Sequence, residues 1–258
     1  MRRLLLAVVL APTAAVAFPF APLAPADEVK SIVAEMELPG MLTPEAATPL
    51  ARVRYPAAAL KDYAEDVPVG EIRKKENIQK YSMRLVVLDA FEGLRGGWAN
   101  DGRQLRPALP AEITHLTKAD VRREQGALAE MVPRLDLHYA RLEAYEPSRN
   151  REPKRWRAHL DYALAELAWR LAITAEYNEL LGRVRTENLP PLDPARDAGY
   201  RLKATDAPAA KRAKDHLKDA RERFAAVVRD HPNTPWAVAA SRALRQPPGL
   251  AWEPAPRR

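Results

Sequence analysis

The sequence predicts an all-α protein, built from antiparallel helical hairpins behind an irregular, proline-rich N-terminal arm. Three observations lead there. Ala, Leu, Arg and Glu dominate the 258 residues and only 10 are Gly, a composition that favours helices over sheets. The 24 prolines gather in the first ~70 residues and at segment junctions, where they mark the ends of elements. The stretch from Pro153 to Glu187 repeats its apolar residues at helical spacing on more than one side. A chain of this length can bury a substantial core.

The elements follow in order. The first 17 residues read two arginines, an apolar run from Leu4 to Ala11, then Ala15-Val16-Ala17 in the small-x-small pattern of a signal-peptidase site. Residues 1–17 are therefore expected to be a signal peptide, with an alternative cleavage after Ala26. The apolar run is short of the ~20 residues that span a bilayer, so no transmembrane segment is expected after cleavage. The chain is expected to be exported, periplasmic or extracellular. Residues 18–69 read as the proline-rich arm, with short helices over Asp27 to Leu38, ended by Pro39-Gly40, and over Ala57 to Glu65. Residues 70–116 read as a helix to Phe91 and a connecting loop with Gly93, Gly96, Gly97 and Gly102. These glycines are not followed by Lys-Ser or Lys-Thr, nor set in strand–helix order, so they do not make a phosphate loop.

Residues 117–245 read as the helical-hairpin domain. Thr117 to Asp120 has capping-box spacing and opens a helix that Pro133 should kink and Glu146-Pro147 should end. The helix over 153–187 carries two apolar rows. Trp156, Leu160, Leu167 and Leu171 mark one; Tyr162, Trp169, Ile173 and Tyr177 mark the other. Two rows require neighbours on at least two sides. Asp161, Ala165, Ala168, Ala172, Glu179 and Arg183 are left as an alanine-and-charge face, and Glu166 and Arg170 can pair at i,i+4. An irregular segment reaches Asp206. A last pair of helices is expected over 207–231 and 234–245, before a proline-rich tail, 246–258, whose Leu250 and Trp252 pack back.

Within that last pair, Ala220, Phe224 and Pro232 have the A-x3-F-x7-P spacing of a tetratricopeptide repeat's second helix, and Trp236 follows the Asp230–Pro235 turn. The pair resembles one such repeat. From Trp156 onward, DYALAELAWRLAITAEYNELLGRVRTENLPPLD, GYRL and DHPNTPWAVAASRAL are similar to the C-terminal helical region of exported bacterial proteins that carry a von Willebrand factor A domain. The A domain and its Asp-x-Ser-x-Ser metal site are absent from the sequence, so the resemblance implies fold and export and carries no metal site.

The sequence holds no catalytic, metal or cofactor motif. Zero Cys excludes a disulfide framework and thiolate zinc sites. The five histidines, 115, 138, 159, 216 and 231, are scattered singly. No Gly-x-Ser-x-Gly elbow occurs. Arg149, Arg151, Lys154, Arg155 and Arg157 cluster at the hairpin turn, where they either dock phosphate or carboxylate groups or form a solvated loop. Without the signal, 39 basic residues face 34 acidic ones. With an export signal, an anionic envelope polymer suits that excess better than nucleic acid. The expected function is a non-catalytic scaffold that binds a protein partner in the cell envelope. The rivals are an envelope-glycan enzyme with an unrecognised carboxylate pair and a basic-face binder of anionic polymer.

Overall fold

The computed structural model describes residues 22–38, 48–99 and 105–257. The signal-like first 17 residues, the Pro39-Gly40 stop and Gly102 lie outside them. The N-terminal elements are short and each begins directly after a proline: α1 (Ala26–Met36) after Pro25, a 3-10 turn (Leu50–Arg52) after Pro49, α2 (Ala57–Leu60) after Pro56 and α3 (Val69–Ile72) after Pro68. A proline can lead a helix because the amide it lacks would be unpaired there, but it cannot continue one. Val29, Ile32, Val33 and Met36 of α1 are buried. Entry to the fold is strapped by two backbone hydrogen bonds, from Ala24 to Tyr55 (2.9 Å) and from Ala57 to Pro22 (2.8 Å).

α4 (Ser82–Ala99) begins later than the periodicity suggested and runs through Gly93, Gly96 and Gly97, which were expected in a loop. The reason is packing. A β-carbon at Gly93 would lie 2.5 Å from Nε2 of His138, so the glycine lets α4 close on the next long helix. Arg95 of α4 donates to the carbonyls of Ala34 (3.0 Å) and Glu37 (3.2 Å), closing the C-terminal end of α1.

α5 (His115–Glu143) starts two residues before the expected Thr117; Thr114 is its cap and accepts from the Thr117 amide (3.3 Å). The helix continues through Pro133. The carbonyl that loses its partner belongs to Ala129, which is exposed and can be hydrated. A 3-10 turn (Glu146–Arg151) leads into α6 (Lys154–Arg185), close to the expected 153–187. α6 is antiparallel to α5, as Gln125 with Asn178 (3.0 Å) and Lys118 with Glu187 show. It is also antiparallel to α7 (Lys211–Asp230), which leads to α8 (Pro235–Arg245) across a turn where Thr234 caps the Ala237 amide (3.3 Å).

The fold is mainly helical but not purely so. Ala108–Pro110 (β1), Asp197–Thr205 (β2) and Gly249–Pro256 (β3) form an antiparallel sheet in the order β1-β2-β3. The segment expected to be irregular up to Asp206 thus holds a strand over 197–205, and the expected tail 246–258 holds one over 249–256. β2 buries Tyr200 and exposes Arg201 and Lys203, an alternation too short to stand out beside long helices. Gly199, at φ 155, sits at a register shift against β3 and under the β1 backbone. β3 tolerates Pro254 and Pro256 because it is an edge strand. That edge is blunted: the Leu250 amide is taken by Glu176 of α6 (3.3 Å), and the prolines have no amide to offer.

α6 is the axis. Trp156, Leu160, Leu167, Trp169, Leu171 and Ile173 are buried, as is Phe224 of α7. Its alanine face is buried too, against expectation: Ala165, Ala168 and Ala172 are at most 1% exposed. Small side chains there let neighbouring elements approach closely. One apolar cluster runs from Val29 to Trp252, so arm and tail belong to the same core. α1 and the Leu50–Arg52 turn pack on α8.

Candidate functional site

The five basic residues at the hairpin turn do not converge on one point. They span a 3-10 turn and the first turn of α6, where successive side chains radiate about the axis. Arg149 forks onto Asp161 (Nε to Oδ1 2.6 Å). Arg155, 1% exposed, forks onto Glu35 of α1 (3.1 and 2.7 Å) and reaches the Ser31 hydroxyl (2.9 Å). Lys154 meets Asp62. Arg151 is exposed and Arg157 half-buried. Three of the five thus tie the N-terminal arm and α6 to the chain's own carboxylates.

A row of buried polar side chains follows α6 behind them. His159 places Nε2 2.8 Å from Glu35, and its Nδ1 accepts from the Trp236 indole (3.2 Å). Burial works to raise the Glu35 carboxyl, but the His159 and Arg155 hydrogen bonds and charges outweigh it and hold it below the usual value. Burial pushes the His159 imidazolium down, against the pull of Glu35. Two residues on, and so on another side of α6, Asp161 lies 2.8 Å from Nε2 of His231, whose Nδ1 is 2.9 Å from the Tyr63 hydroxyl. Burial opposes ionisation of Asp161, yet His231 and Arg149 keep its carboxyl below the usual range. Further along, Tyr162 donates to Glu166 (2.7 Å), which also faces Arg170 at 3.8 Å. Burial raises the Glu166 carboxyl beyond what Arg170 and Tyr162 restore.

Glu176 ends the row. Fully buried, it accepts from the amides of Ala209 (2.6 Å), Ala210 (2.7 Å) and Leu250 (3.3 Å). A carboxylate of α6 therefore caps α7, which has no cap of its own, and fastens β3. Nothing local in the sequence marks Glu35, His159, Asp161, Glu176 or His231 for these roles: apart from Arg149, 12 residues before Asp161, each partner is 33 or more residues away. The Tyr63–His231–Asp161 chain has the order of an acid–base relay, but Tyr63 and His231 are 5% and 3% exposed, leaving a substrate no approach.

One open feature of the surface is a groove of about 660 Å³ between the start of α4 and the end of α5. Ile78, Leu85, Val86, Ala144 and Tyr145 make its apolar walls, and Arg73, Ser82, Asp89 and Arg141 its polar ones. Ile78 is 49% exposed; Leu137, one turn before Arg141 on α5, is 53% exposed. Asp89 is the single carboxylate among the described residues of the lining, so a carboxylate pair for glycan cleavage is not assembled there. Among the described residues, no group of His, Asp or Glu gathers as a metal centre, and no helix is long and apolar enough to cross a membrane.

Of the tetratricopeptide-like positions, Ala220, Phe224 and Trp236 are fully buried and Pro232 is exposed in the turn beside Asn233, at φ 59. Arg221 donates to the Leu244 carbonyl (3.1 Å), which sets α7 and α8 antiparallel. No protein-family model, curated protein or solved structure matches the chain.

Proposed function

We propose that the chain is an exported, non-catalytic helical protein of the cell envelope that binds a protein partner, and that the α4–α5 groove is the contact. The observation that carries this reading is the groove itself. It leaves Ile78 exposed in the turn that leads into α4, with Leu137 of α5 exposed one turn before the lining residue Arg141, and Arg141, Asp89 and Ser82 there to orient a guest. An amphipathic helix laid between α4 and α5 would cover that surface with anchors at i, i+3 or i+4, and i+7. Export rests on the order of the first 17 residues. The likeness of α7 and α8 to one tetratricopeptide repeat is a reading of the same kind, supported by burial of Ala220 and Phe224 and by the antiparallel pairing. Such a repeat would not stack further here, because α1 and the Leu50–Arg52 turn already pack on α8.

The test is a pull-down from envelope extract at low and high salt, with the parent protein and with the Ile78→Asp/Leu137→Asp double variant. A protein retained at high salt by the parent and lost by the variant supports the reading. Retention of polyanions alone, released by salt, favours the basic-face binder. Turnover of isolated cell wall by the purified protein favours the enzyme.

A further inference from the structure

Two imidazoles hold the turn between α7 and α8, and all four of their ring nitrogens are engaged. His231 gives Nε2 to Asp161 and Nδ1 to the Tyr63 hydroxyl; His159 gives Nε2 to Glu35 and Nδ1 to the Trp236 indole. The partners at Nδ1 differ in kind. A phenol donates or accepts, and burial raises the Tyr63 phenol so that it keeps its proton. Its hydroxyl can therefore reverse when Nδ1 of His231 is protonated. An indole N–H only donates. Nδ1 of His159 is thus the bare nitrogen, and Nε2 carries the hydrogen that Glu35 accepts. A second proton on His159 would set two N–H groups against each other across 3.2 Å.

We propose that His159 is an acid-sensitive latch on α8: neutral, it holds Trp236; protonated, it keeps Glu35 and releases Trp236, while His231 stays clamped in both states. The groups that face His159 decide when it turns. Glu35 of α1 favours the proton; Arg155 on its own helix and Arg95 of α4 oppose it, and from α8 comes the Trp236 donor. The ring is packed among Phe91, Trp156 and Trp236 at centroid distances of 5.7, 5.4 and 5.0 Å. Burial is the largest influence and sets the folded value below the unfolded one. The latch therefore stabilises fully above about pH 6.5 and weakens as the pH falls below it. Trp236 is fully buried on α8, the helix that α1 packs against, so its release loosens that seam.

The experiment follows the nitrogen-15 signals of His159 and of the Trp236 indole in the full chain from pH 8 to 5. At pH 8 His159 should show the Nε2–H tautomer, and on acidification the Trp236 indole signal should move with the His159 midpoint. His159→Gln, whose amide can accept from Trp236 and donate to Glu35, should abolish that movement; His231→Gln should leave it. Trp236→Phe should raise the His159 midpoint by about one on the pH scale, the size of one hydrogen bond to the neutral ring. An Nδ1–H tautomer at pH 8, an indole signal that moves equally in His159→Gln, or an unchanged midpoint in Trp236→Phe would each overturn the proposal.

Discussion

Glu176 shows how much a single side chain decides in this molecule. Its carboxylate satisfies two amides at the start of α7 and one on β3, so it stands in for a helix cap and an edge-strand partner at once. Glu176→Gln keeps the shape but turns a donor toward donors. The expected loss is about 2–3 kcal/mol, a fall in melting temperature of roughly 4–12 °C, read by thermal scans at pH 7. Glu35 and Asp161 make a different contribution. Their folded carboxyls lie below the unfolded values, so their stabilisation is complete above about pH 4–5 and lost as the pH falls through the folded values. Asp161→Asn should cost about 2–3 kcal/mol at pH 7, and its deficit against the parent should shrink on acidification; a deficit independent of pH would contradict the pairing with Arg149 and His231. None of these residues was legible in the sequence, since a carboxylate at one turn of a long helix looks the same whether it caps a distant strand or faces water. The basic cluster was visible, but its destination was not: Arg149 and Arg155 are spent on internal carboxylates.

At the scale of elements, the long helix was plain from its two apolar rows, and α5, α7 and α8 from periodicity and prolines. Leu167 sits fully buried in α6. Leu167→Asp should unfold the body, because an unpaired buried charge costs several kcal/mol against a total of ~5–15. An unchanged melting temperature would refute the packing. The sheet escaped because strand β2 has only one short alternation and β3 contains two prolines, which read as a tail until an edge position is available for them. Trp252 on β3 is 3% exposed. Trp252→Ala should therefore cost about 3–5 kcal/mol, as for an aromatic lost from a core, whereas a loose tail would lose almost nothing. α4 outran its expected end because the glycine that reads as a loop signal is, at Gly93, the point where two helices touch.

The whole molecule is a single core wound about α6, with both ends of the described chain pinned to it. Residues 22–24 bond to 55–57 and α1 is buried against the body, so cleavage after Ala26 would strip a strap that cleavage after Ala17 leaves whole. Exported protein is accordingly expected to begin near Phe18 by intact-mass measurement; a start at Asp27, or an intact chain from Met1 held in the cytoplasm, would count against this. Most of the polar chemistry is turned inward and the α4–α5 groove is turned outward, which is why the groove is taken as the point of contact with another protein. Site-specific photo-crosslinking tests that directly, with the reactive group placed at Ile78 in the groove, at Leu137 beside it and at Lys203 on the outer face of the sheet, in the cells that make the protein. One discrete protein adduct at both Ile78 and Leu137 and none at Lys203 is the predicted result; no adduct at Ile78 or Leu137, or the same adducts at all three positions, would contradict the account.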